Sequence, residues 1–359
     1  GVGMPAVNRG TLSQMPGRFA VSHSDLDEGP VNRPTRYHRE VAKSIIMTNR
    51  SPDLPFAQSI NPYRGCEHGC IYCYARPNHA YVDLSPGQDF ETEIFCKENA
   101  AEVLRDSLRK PGYRCQPVVL GTATDPYQPA ERERRLTREL IQVLADCQHP
   151  FSLITKSTLV LRDLDLIAPM ARAGRASVTV SVTTLDNRLK AQLEPRASGG
   201  KERLRAIREL SRAGVPVSVL VAPVIPFIND HELEDIVGQI AQAGAEHAGY
   251  VVLRLPHEVG PLWQEWLDEY YPDRAEKVMS VMRDLHGGAI YDSRWHHRQS
   301  GQGAWAHLLK QRFENACRAA GLSARESLAL DTQGFVPPGP HGQLALWTGL
   351  PETENPGGL

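Results

Sequence analysis

The sequence predicts an α/β fold in which parallel β-strands alternate with helices that cover the sheet. Short apolar or β-branched runs alternate with longer segments of helical apolar spacing about every 35–40 residues. A glycine follows several of the helical segments, as at Gly174, Gly214 and Gly244, and glycine is the residue that most often ends a helix. Because two strands joined through a helix run parallel, this alternation indicates a parallel sheet.

Six strands are predicted. The first alternates between polar and apolar residues, and the others are short apolar or β-branched runs. In chain order they span residues 91–97, 116–122, 151–155, 176–182, 215–221 and 248–253. A closed barrel of βα units has eight strands, so six strands leave either a partial barrel or an open sheet.

Helices are predicted between these strands, where apolar residues recur every three or four positions. They span residues 99–108, 131–147, 161–173, 202–213 and 231–243. Residues 256–359 are expected to add two or three helices and a tail rich in proline and glycine. Binding residues of parallel α/β folds follow the carboxyl ends of the strands, so we expect these loops to form the site.

Composition excludes several classes of protein. The chain has 359 residues, 41% of them hydrophobic, and 40 basic against 42 acidic residues give a net charge of −2. A wholly disordered chain, a collagen-like chain and a protein that binds nucleic acid through net charge alone are excluded. We predict three parts, which are an N-terminal arm (1–50), a βα domain (51–290) and a C-terminal extension with a tail (291–359).

The sequence predicts a cytoplasmic protein that has no membrane partner. The longest apolar stretch, residues 216–228, is interrupted by Pro223 and Pro226 and is too short to span a bilayer. No secretory signal is recognisable. Seven cysteines are an odd number, which excludes a complete disulfide framework.

Three of the cysteines form the strongest motif. Cys66, Cys70 and Cys73 have the spacing C-x3-C-x2-C, and three thiolates this close can hold three corners of an iron–sulfur cluster. The fourth iron would then be open to a substrate. The alternatives are a structural zinc site completed by His68 and incidental cysteines. Zinc sites usually contain two separated ligand pairs, and the other four cysteines form no second pair, so His68 is not expected to bind metal.

With Tyr72 before the third cysteine, the motif resembles the signature of the radical SAM superfamily. The resemblance implies a partial (β/α)6 barrel of the TIM type for residues 51–290. It also implies a [4Fe–4S] cluster on Cys66, Cys70 and Cys73 that binds S-adenosylmethionine (SAM) through its open iron. An electron from a donor such as flavodoxin or ferredoxin would cleave SAM, and the 5′-deoxyadenosyl radical would abstract a substrate hydrogen.

A closer resemblance is to the spore photoproduct lyase branch of that superfamily. It rests on short segments in a common order: Cys73-Tyr74, Thr122-Ala123-Thr124-Asp125, Thr155-Lys156, Ser181-Val182-Thr183, Glu194-Pro195 and Ala222-Pro223. The resemblance implies that Tyr72 lies against the adenine. It implies that four further residues contact SAM, namely Thr124, Lys156, Ser181 and Ala222. From the residues alone, a core aromatic, a solvated strand-end lysine and packed hydroxyls remain alternatives.

The chain departs from the lyase pattern at Thr122. The lyases have at this position a cysteine that returns a hydrogen atom to the product, and a threonine O–H bond is too strong for that role. We therefore predict that Tyr74 or Tyr127 is the redox-active residue if hydrogen return occurs. Asp125 would orient the phenol or the substrate, and Asp125 and Tyr127 are expected to project over the cluster. The Gly-Gly-Glu segment that often holds the SAM ammonium is also absent, being replaced by residues 121–125.

A basic and aromatic stretch at residues 293–313 favours a DNA or RNA substrate. Its basic residues are Arg294, Arg298, Lys310 and Arg312, and its tryptophans are Trp295 and Trp305. Such side chains contact phosphates and stack on bases, although a helix-packing segment with a solvated face has the same composition. The sequence thus predicts a radical SAM enzyme for nucleic-acid repair or modification. The alternatives are radical modification of a small molecule or peptide, and a non-catalytic metal-binding module.

Overall fold

A computed structural model describes residues 9–13, 15, 33–50, 56–287, 301–323 and 329–340. Its strands are β1 (Arg36–Glu40), β2 (Ile46–Thr48), β3 (Gln58–Ile60), β4 (Tyr63–Arg64), β5 (Glu93–Lys97), β6 (Val118–Leu120), β7 (Phe151–Thr155), β8 (Ala176–Val182), β9 (Val217–Val224) and β10 (His247–Val252). Its α-helices are α1 (Gln88–Thr92), α2 (Ala100–Arg109), α3 (Glu131–Arg134), α4 (Leu136–Asp146), α5 (Leu164–Arg172), α6 (Asn187–Leu193), α7 (Gly200–Arg212), α8 (Leu233–Ala243), α9 (Val259–Tyr270), α10 (Ala275–Leu285) and α11 (Ala304–Ala320).

The main sheet contains six parallel strands whose spatial order is their order along the chain, β3-β6-β7-β8-β9-β10. A seventh strand, β2, is antiparallel to β3 at one edge. This arrangement confirms the predicted α/β class and the partial barrel. The valines of β9 are buried against the apolar residues of α7 and α8 in one large core, so each helix covers the strands next to it.

One predicted strand belongs to a different sheet. Residues 91–97 include β5, which pairs parallel with β1 and antiparallel with β4 and lies outside the main sheet. The first strand of the barrel is β3 instead. Its three residues, Gln58-Ser59-Ile60, are too few to show a period, so only the pairing with β2 and β6 defines this strand.

One predicted helix is divided in the structure, and one observed helix was not among the predicted ones. The predicted helix 131–147 is divided into α3 and α4 at Arg135, whose φ of +57° interrupts the helical backbone. Helix α6 was not predicted. The residue before its first turn is the N-cap Asp186, whose side chain accepts the N–H groups of Arg188 and Leu189.

The C-terminal helices α9 and α10 close one side of the barrel. Their buried residues form a second core, which includes the stacked Trp263 and Trp266 with ring centroids 4.8 Å apart. Ile71 and Tyr72 of the cysteine motif belong to this core, so α9 and α10 support the motif from one side. Helix α11 packs against α8. The predicted domain boundary at residue 50 stays a prediction, while β1 and β2 place part of the arm within both sheets.

None of the helices in the described ranges has the length and apolar character that crossing a membrane requires.

Candidate active site

The residues that the sequence singled out follow the carboxyl ends of the parallel strands. The cysteine motif begins two residues after β4, the short strand that follows β3, and Thr122–Asp125 follow β6. Lys156 follows β7, Ser181 lies at the end of β8, and Ala222 lies near the end of β9. One edge of the barrel therefore carries all of these segments.

A buried arginine shapes the cysteine loop. Arg76 is fully buried, and its guanidinium donates to the Cys70 carbonyl from Nε at 3.0 Å and from Nη2 at 2.8 Å. It also donates to the carbonyls of Pro86 and Gly87 and pairs with Glu91 at 3.2 Å. Because this one side chain joins the Cys70 carbonyl to the carbonyls of residues 86 and 87, the loop has a defined shape in the protein itself.

The N-terminal segment closes the back of this loop. The Glu91 carboxylate accepts the Gly10 N–H at 2.6 Å and the Thr11 hydroxyl at 2.9 Å. Gly69 has a φ of +69°, and a Cβ there would lie 2.5 Å from the Glu91 carboxylate. Glycine is therefore required between the first two cysteines both for its backbone conformation and for space.

The three cysteines are free thiols within one loop. Cys66 and Cys70 are buried and Cys73 is partly buried. Burial raises the pKa of the Cys66 thiol well above its usual range and that of Cys70 to about 12. Within the described ranges, no three His, Cys, Asp or Glu side chains are placed to hold a single metal ion. A cluster differs because each cysteine binds a different iron, and its positive charge removes the cost of a buried thiolate.

Asp125 connects three loops of the site. One of its carboxylate oxygens accepts the Tyr127 N–H at 2.8 Å and the Thr155 hydroxyl at 2.7 Å. The other accepts the Lys156 N–H at 2.8 Å and lies 3.3 Å from His68 Nδ1. Burial alone would raise the pKa of Asp125, but these partners outweigh it and hold the pKa at about 2. Asp125 is thus fully engaged in positioning the cysteine loop and the loop after β7.

A second buried carboxylate holds Tyr72. The Tyr72 phenol donates to Glu194, which also pairs with the fully buried Arg203. The Thr183 hydroxyl lies between Glu194 and the Ala222 carbonyl, which is 2.8 Å away. Burial opposes ionisation of Glu194, but the charges of Arg203 and Lys156 outweigh it and lower its pKa to about 2.

The residues expected to contact SAM lie along this network. The Lys156 ammonium is 5.8 Å from the centre of the Tyr72 ring. The Ser181 hydroxyl is 3.5 Å from the Ala222 carbonyl, and Arg203 donates to the Ser181 carbonyl at 3.0 Å. Thr124 lies apart from the other four, and its hydroxyl donates to the Tyr63 carbonyl at 3.1 Å.

Tyr74 is partly exposed beside the loop after β6. Its side chain is 49% exposed, and its phenol donates to the backbone carbonyl of Thr122. The Thr122 hydroxyl accepts from the side-chain amide of Asn61 at 3.2 Å. The guanidinium of Arg254, which follows β10, lies 4.8 Å from the centre of the Tyr74 ring.

The expected position of Tyr127 is wrong. Its side chain is 1% exposed, belongs to the main core and donates to Asp163 at 2.9 Å. The turn that Asp125 makes with the Tyr127 N–H directs the ring into the core instead of over the cluster. The carboxylate of Asp125 likewise faces the backbone and His68 and does not project freely into the mouth.

Comparison with known proteins identifies the superfamily of this chain. The model of the Radical SAM superfamily matches residues 60–240, which is half of the chain. An uncharacterised protein of Mycobacterium tuberculosis (strain H37Rv) is 39% identical over 252 residues, 69% of this chain and 74% of that protein. The chain belongs to the radical SAM superfamily. It is therefore an enzyme whose cofactors are a [4Fe–4S] cluster and SAM, and enzymes of this superfamily need an electron donor.

Two further proteins are similar to this radical SAM chain. One is a solved structure with a similar fold, and the other is an enzyme with a different named activity. A solved structure of spore photoproduct lyase complexed with dinucleoside spore photoproduct has a TM-score of 0.56 at 14% identity and covers 79% of each chain. The radical SAM Nα-GlyT isomerase of Pseudomonas phage M6 is 23% identical over 239 residues, 65% of this chain and 48% of that protein.

Part of the predicted nucleic-acid stretch is described. Arg294, Trp295 and Arg298 lie outside the described residues. In the other half, Arg312 pairs with Glu234 at 2.7 Å and Lys310 lies 4.0 Å from Glu314. Trp305 is partly buried against both cores. The described half is therefore a helix that packs on the protein and whose two basic side chains lie beside carboxylates.

Sequence reasoning missed three residues that organise the site of this radical SAM enzyme. Asn61 binds the N–H of Ala123 at 3.0 Å and thus holds the loop after β6. Arg203 neutralises Glu194, and Arg254 covers Tyr74. The only available signal was that Arg254 directly follows the predicted strand at residues 248–253, since strand ends carry the functional loops of such barrels.

Proposed function

We propose that this radical SAM enzyme abstracts a hydrogen atom from a nucleotide in DNA or RNA, for repair or modification. The observation that carries the proposal is the contact between Tyr74 and Thr122. It supplies an oxidisable phenol at the position where the resembling lyases have their hydrogen-donor cysteine. The fold likeness to a lyase complexed with dinucleoside spore photoproduct supports a nucleoside substrate.

The proposal assigns the cofactor contacts to this chain's own residues. Cys66, Cys70 and Cys73 would hold the cluster, and the cluster would supply the electron for reductive cleavage of SAM when both are bound. Tyr72 lies against the adenine, because Glu194 fixes its phenol and Lys156 covers its ring.

The remaining contacts to SAM are polar. Lys156 meets its carboxylate, and the hydroxyls and carbonyls at the ends of the strands meet its ribose and ammonium. These hydroxyls and carbonyls belong to Thr124, Ser181 and Ala222. Asp125 holds the Lys156 backbone and His68 and so acts as a positioning residue.

Hydrogen return, where the reaction includes it, passes through Tyr74 in this proposal. Its O–H bond breaks, the hydrogen atom joins the product radical, and a phenoxyl radical remains on Tyr74. One electron and one proton then restore the phenol, and the electron comes from the donor protein, flavodoxin or ferredoxin in a cytoplasmic setting. Thr122 fixes the phenol oxygen through its carbonyl and takes no part in the chemistry.

One observation favours a second candidate, the radical modification of a small molecule or peptide without nucleic-acid binding. The cations of α11 that the sequence assigned to phosphate contacts are paired with Glu234 and Glu314. Paired surface cations release fewer counterions from nucleic acid and bind it less strongly.

Anaerobic incubation with dithionite, SAM and substrates deuterated at the sugar or base tests the proposal. We expect deuterium in 5′-deoxyadenosine with an oligonucleotide and none with a peptide. Deuterium transfer from a peptide or small molecule alone would establish the second candidate. Absence of SAM cleavage in the cluster-loaded enzyme would overturn both.

A further inference from the structure

Arg254 differs from the other arginines of the site. Arg76 pairs with Glu91, and Arg203 pairs with Glu194. Arg254 is partly buried, and its one recorded contact in the described chain is the face of the Tyr74 ring, 4.8 Å from its guanidinium carbon. It has no carboxylate within ion-pair distance among the described residues.

An arginine that stacks on a ring and makes no ion pair has hydrogen-bond donors available for a ligand. A guanidinium carries five N–H donors in one plane, and stacking on an aromatic face leaves the edge of that plane open. An oxyanion bound at this edge accepts two charge-assisted hydrogen bonds from the guanidinium.

An exposed aromatic residue lies on the neighbouring loop. Phe227 follows β9, the strand beside β10, and its side chain is 42% exposed. The two strands remain hydrogen-bonded at their ends, where Leu253 N–H donates to the Val224 carbonyl at 3.0 Å. Arg254 therefore follows the strand next to the one that leads to Phe227. A cation and an aromatic ring on adjacent loops fit the phosphate and the base of a nucleotide.

We infer that Arg254 binds a phosphodiester group of the substrate beside the reacting nucleotide, while its other side holds the Tyr74 ring in place. This inference rests on the proposed function and names the contact by which the site recognises its substrate. The stacked guanidinium thus connects substrate binding with the position of Tyr74.

Binding of single-stranded hexathymidylate to the cluster-loaded enzyme tests the inference, with fluorescence anisotropy as the readout. Two probes are compared, one with native phosphodiester linkages and one with neutral methylphosphonate linkages. Arg254→Gln should weaken binding of the native probe about 10- to 100-fold, as expected for charged hydrogen bonds. It should leave binding of the neutral probe unchanged, and Arg254→Lys should keep part of the affinity.

The salt dependence adds a second readout. The slope of log affinity against log salt should fall by about 0.7 in Arg254→Gln, the value for one lost phosphate contact on a single strand. Arg208 is the matched control, since it is exposed on α7 and no described partner contacts its side chain. Arg208→Gln should change neither the affinity nor the slope.

The two proposals fail in different ways. Equal binding of the native probe by Arg254→Gln and the unaltered enzyme would overturn the role of Arg254 and leave the nucleic-acid substrate standing. Failure of the unaltered enzyme to bind either probe, at low salt, would overturn both. An iron and sulfide content of Arg254→Gln equal to that of the unaltered enzyme shows that its cluster site is intact.

Discussion

The phenol of Tyr74 donates its hydrogen bond to the backbone carbonyl of Thr122. The side chain of Thr122 is itself bound by Asn61, and the ring of Tyr74 is covered by Arg254. The phenol is therefore held between the loop after β6 and the end of β10. This connection places an oxidisable phenol, instead of the thiol of the lyase pattern, at the mouth of the barrel.

Tyr74→Phe should lower product formation at least tenfold while SAM cleavage continues, because the hydrogen donor is lost and the cofactor site remains. Tyr127→Phe is the matched control. It removes a buried hydrogen bond to Asp163 and should lower the free energy of unfolding by about 1–2 kcal/mol with little change in turnover. Product and 5′-deoxyadenosine are quantified by mass spectrometry. The relay through Tyr74 is wrong if Tyr74→Phe forms product at the native rate.

Cys70→Ala should prevent assembly of the full cluster, because the cluster needs all three cysteines of the motif. The unaltered chain should contain about four irons and four sulfides after anaerobic reconstitution, as a [4Fe–4S] cluster requires. Cys115→Ala is the control, since Cys115 precedes β6 and lies at the opposite end of that strand. Iron and sulfide analysis provides the measurement, and a full cluster in Cys70→Ala would contradict the assignment.

Glu194→Gln should lower the free energy of unfolding by about 3–5 kcal/mol, because it leaves the buried guanidinium of Arg203 without its counter-charge. The exposed pair between Glu202 and Arg205 is the control, with a distance of 2.9 Å. Glu202→Gln should change stability by less than about 1 kcal/mol. Urea denaturation measures both variants, and equal small losses would show that Glu194 is not the anchor inferred here.

Acid should destabilise the fold through His149. Its Nδ1 faces the Pro150 carbonyl at 2.9 Å and must donate, so its Nε2 accepts the Tyr113 hydroxyl at 2.6 Å as a neutral imidazole. Burial lowers the pKa of His149 to about 4, whereas an unfolded histidine has a pKa near 6.5.

Between pH 6.5 and pH 4 the unfolded chain therefore binds more protons than the folded chain at this position. Stability from this group is present above pH 6.5 and decreases as the pH falls through that window. His149→Asn keeps a donor to Pro150 and cannot titrate. Thermal unfolding from pH 8 to pH 4 should show a shallower decrease for His149→Asn, and parallel curves would exclude the effect.

Much of the barrel could be predicted because its later strands are apolar runs between helices of clear period. Strand β3 could not, since Gln58-Ser59-Ile60 is defined only by its neighbours in the sheet. The predicted strand at residues 91–97 has real alternation, but it pairs within a second, smaller sheet instead of the barrel. Periodicity identifies a half-buried strand and carries no information on its partner.

The sequence predicted which end of the strands carries the site residues better than it predicted the direction of their side chains. The strand-end rule placed Lys156 after the strand at residues 151–155, and in the structure Lys156 directly follows β7. It failed for Tyr127, because a turn stabilised by Asp125 reverses the direction of the chain within two residues. The pairing of Glu194 with Arg203 joins two separate elements, and no local pattern reports such a contact.

The closed back of the cysteine loop has a consequence for the order in which the enzyme matures. Gly10 lies against Gly69 so closely that a Cβ on Gly10 would lie 1.6 Å from the Gly69 carbonyl oxygen. We therefore expect iron and sulfide to reach the thiols from the strand-end side, which is the side proposed to bind SAM. Cluster assembly is then expected to precede SAM binding, and excess SAM should slow reconstitution of the apoprotein.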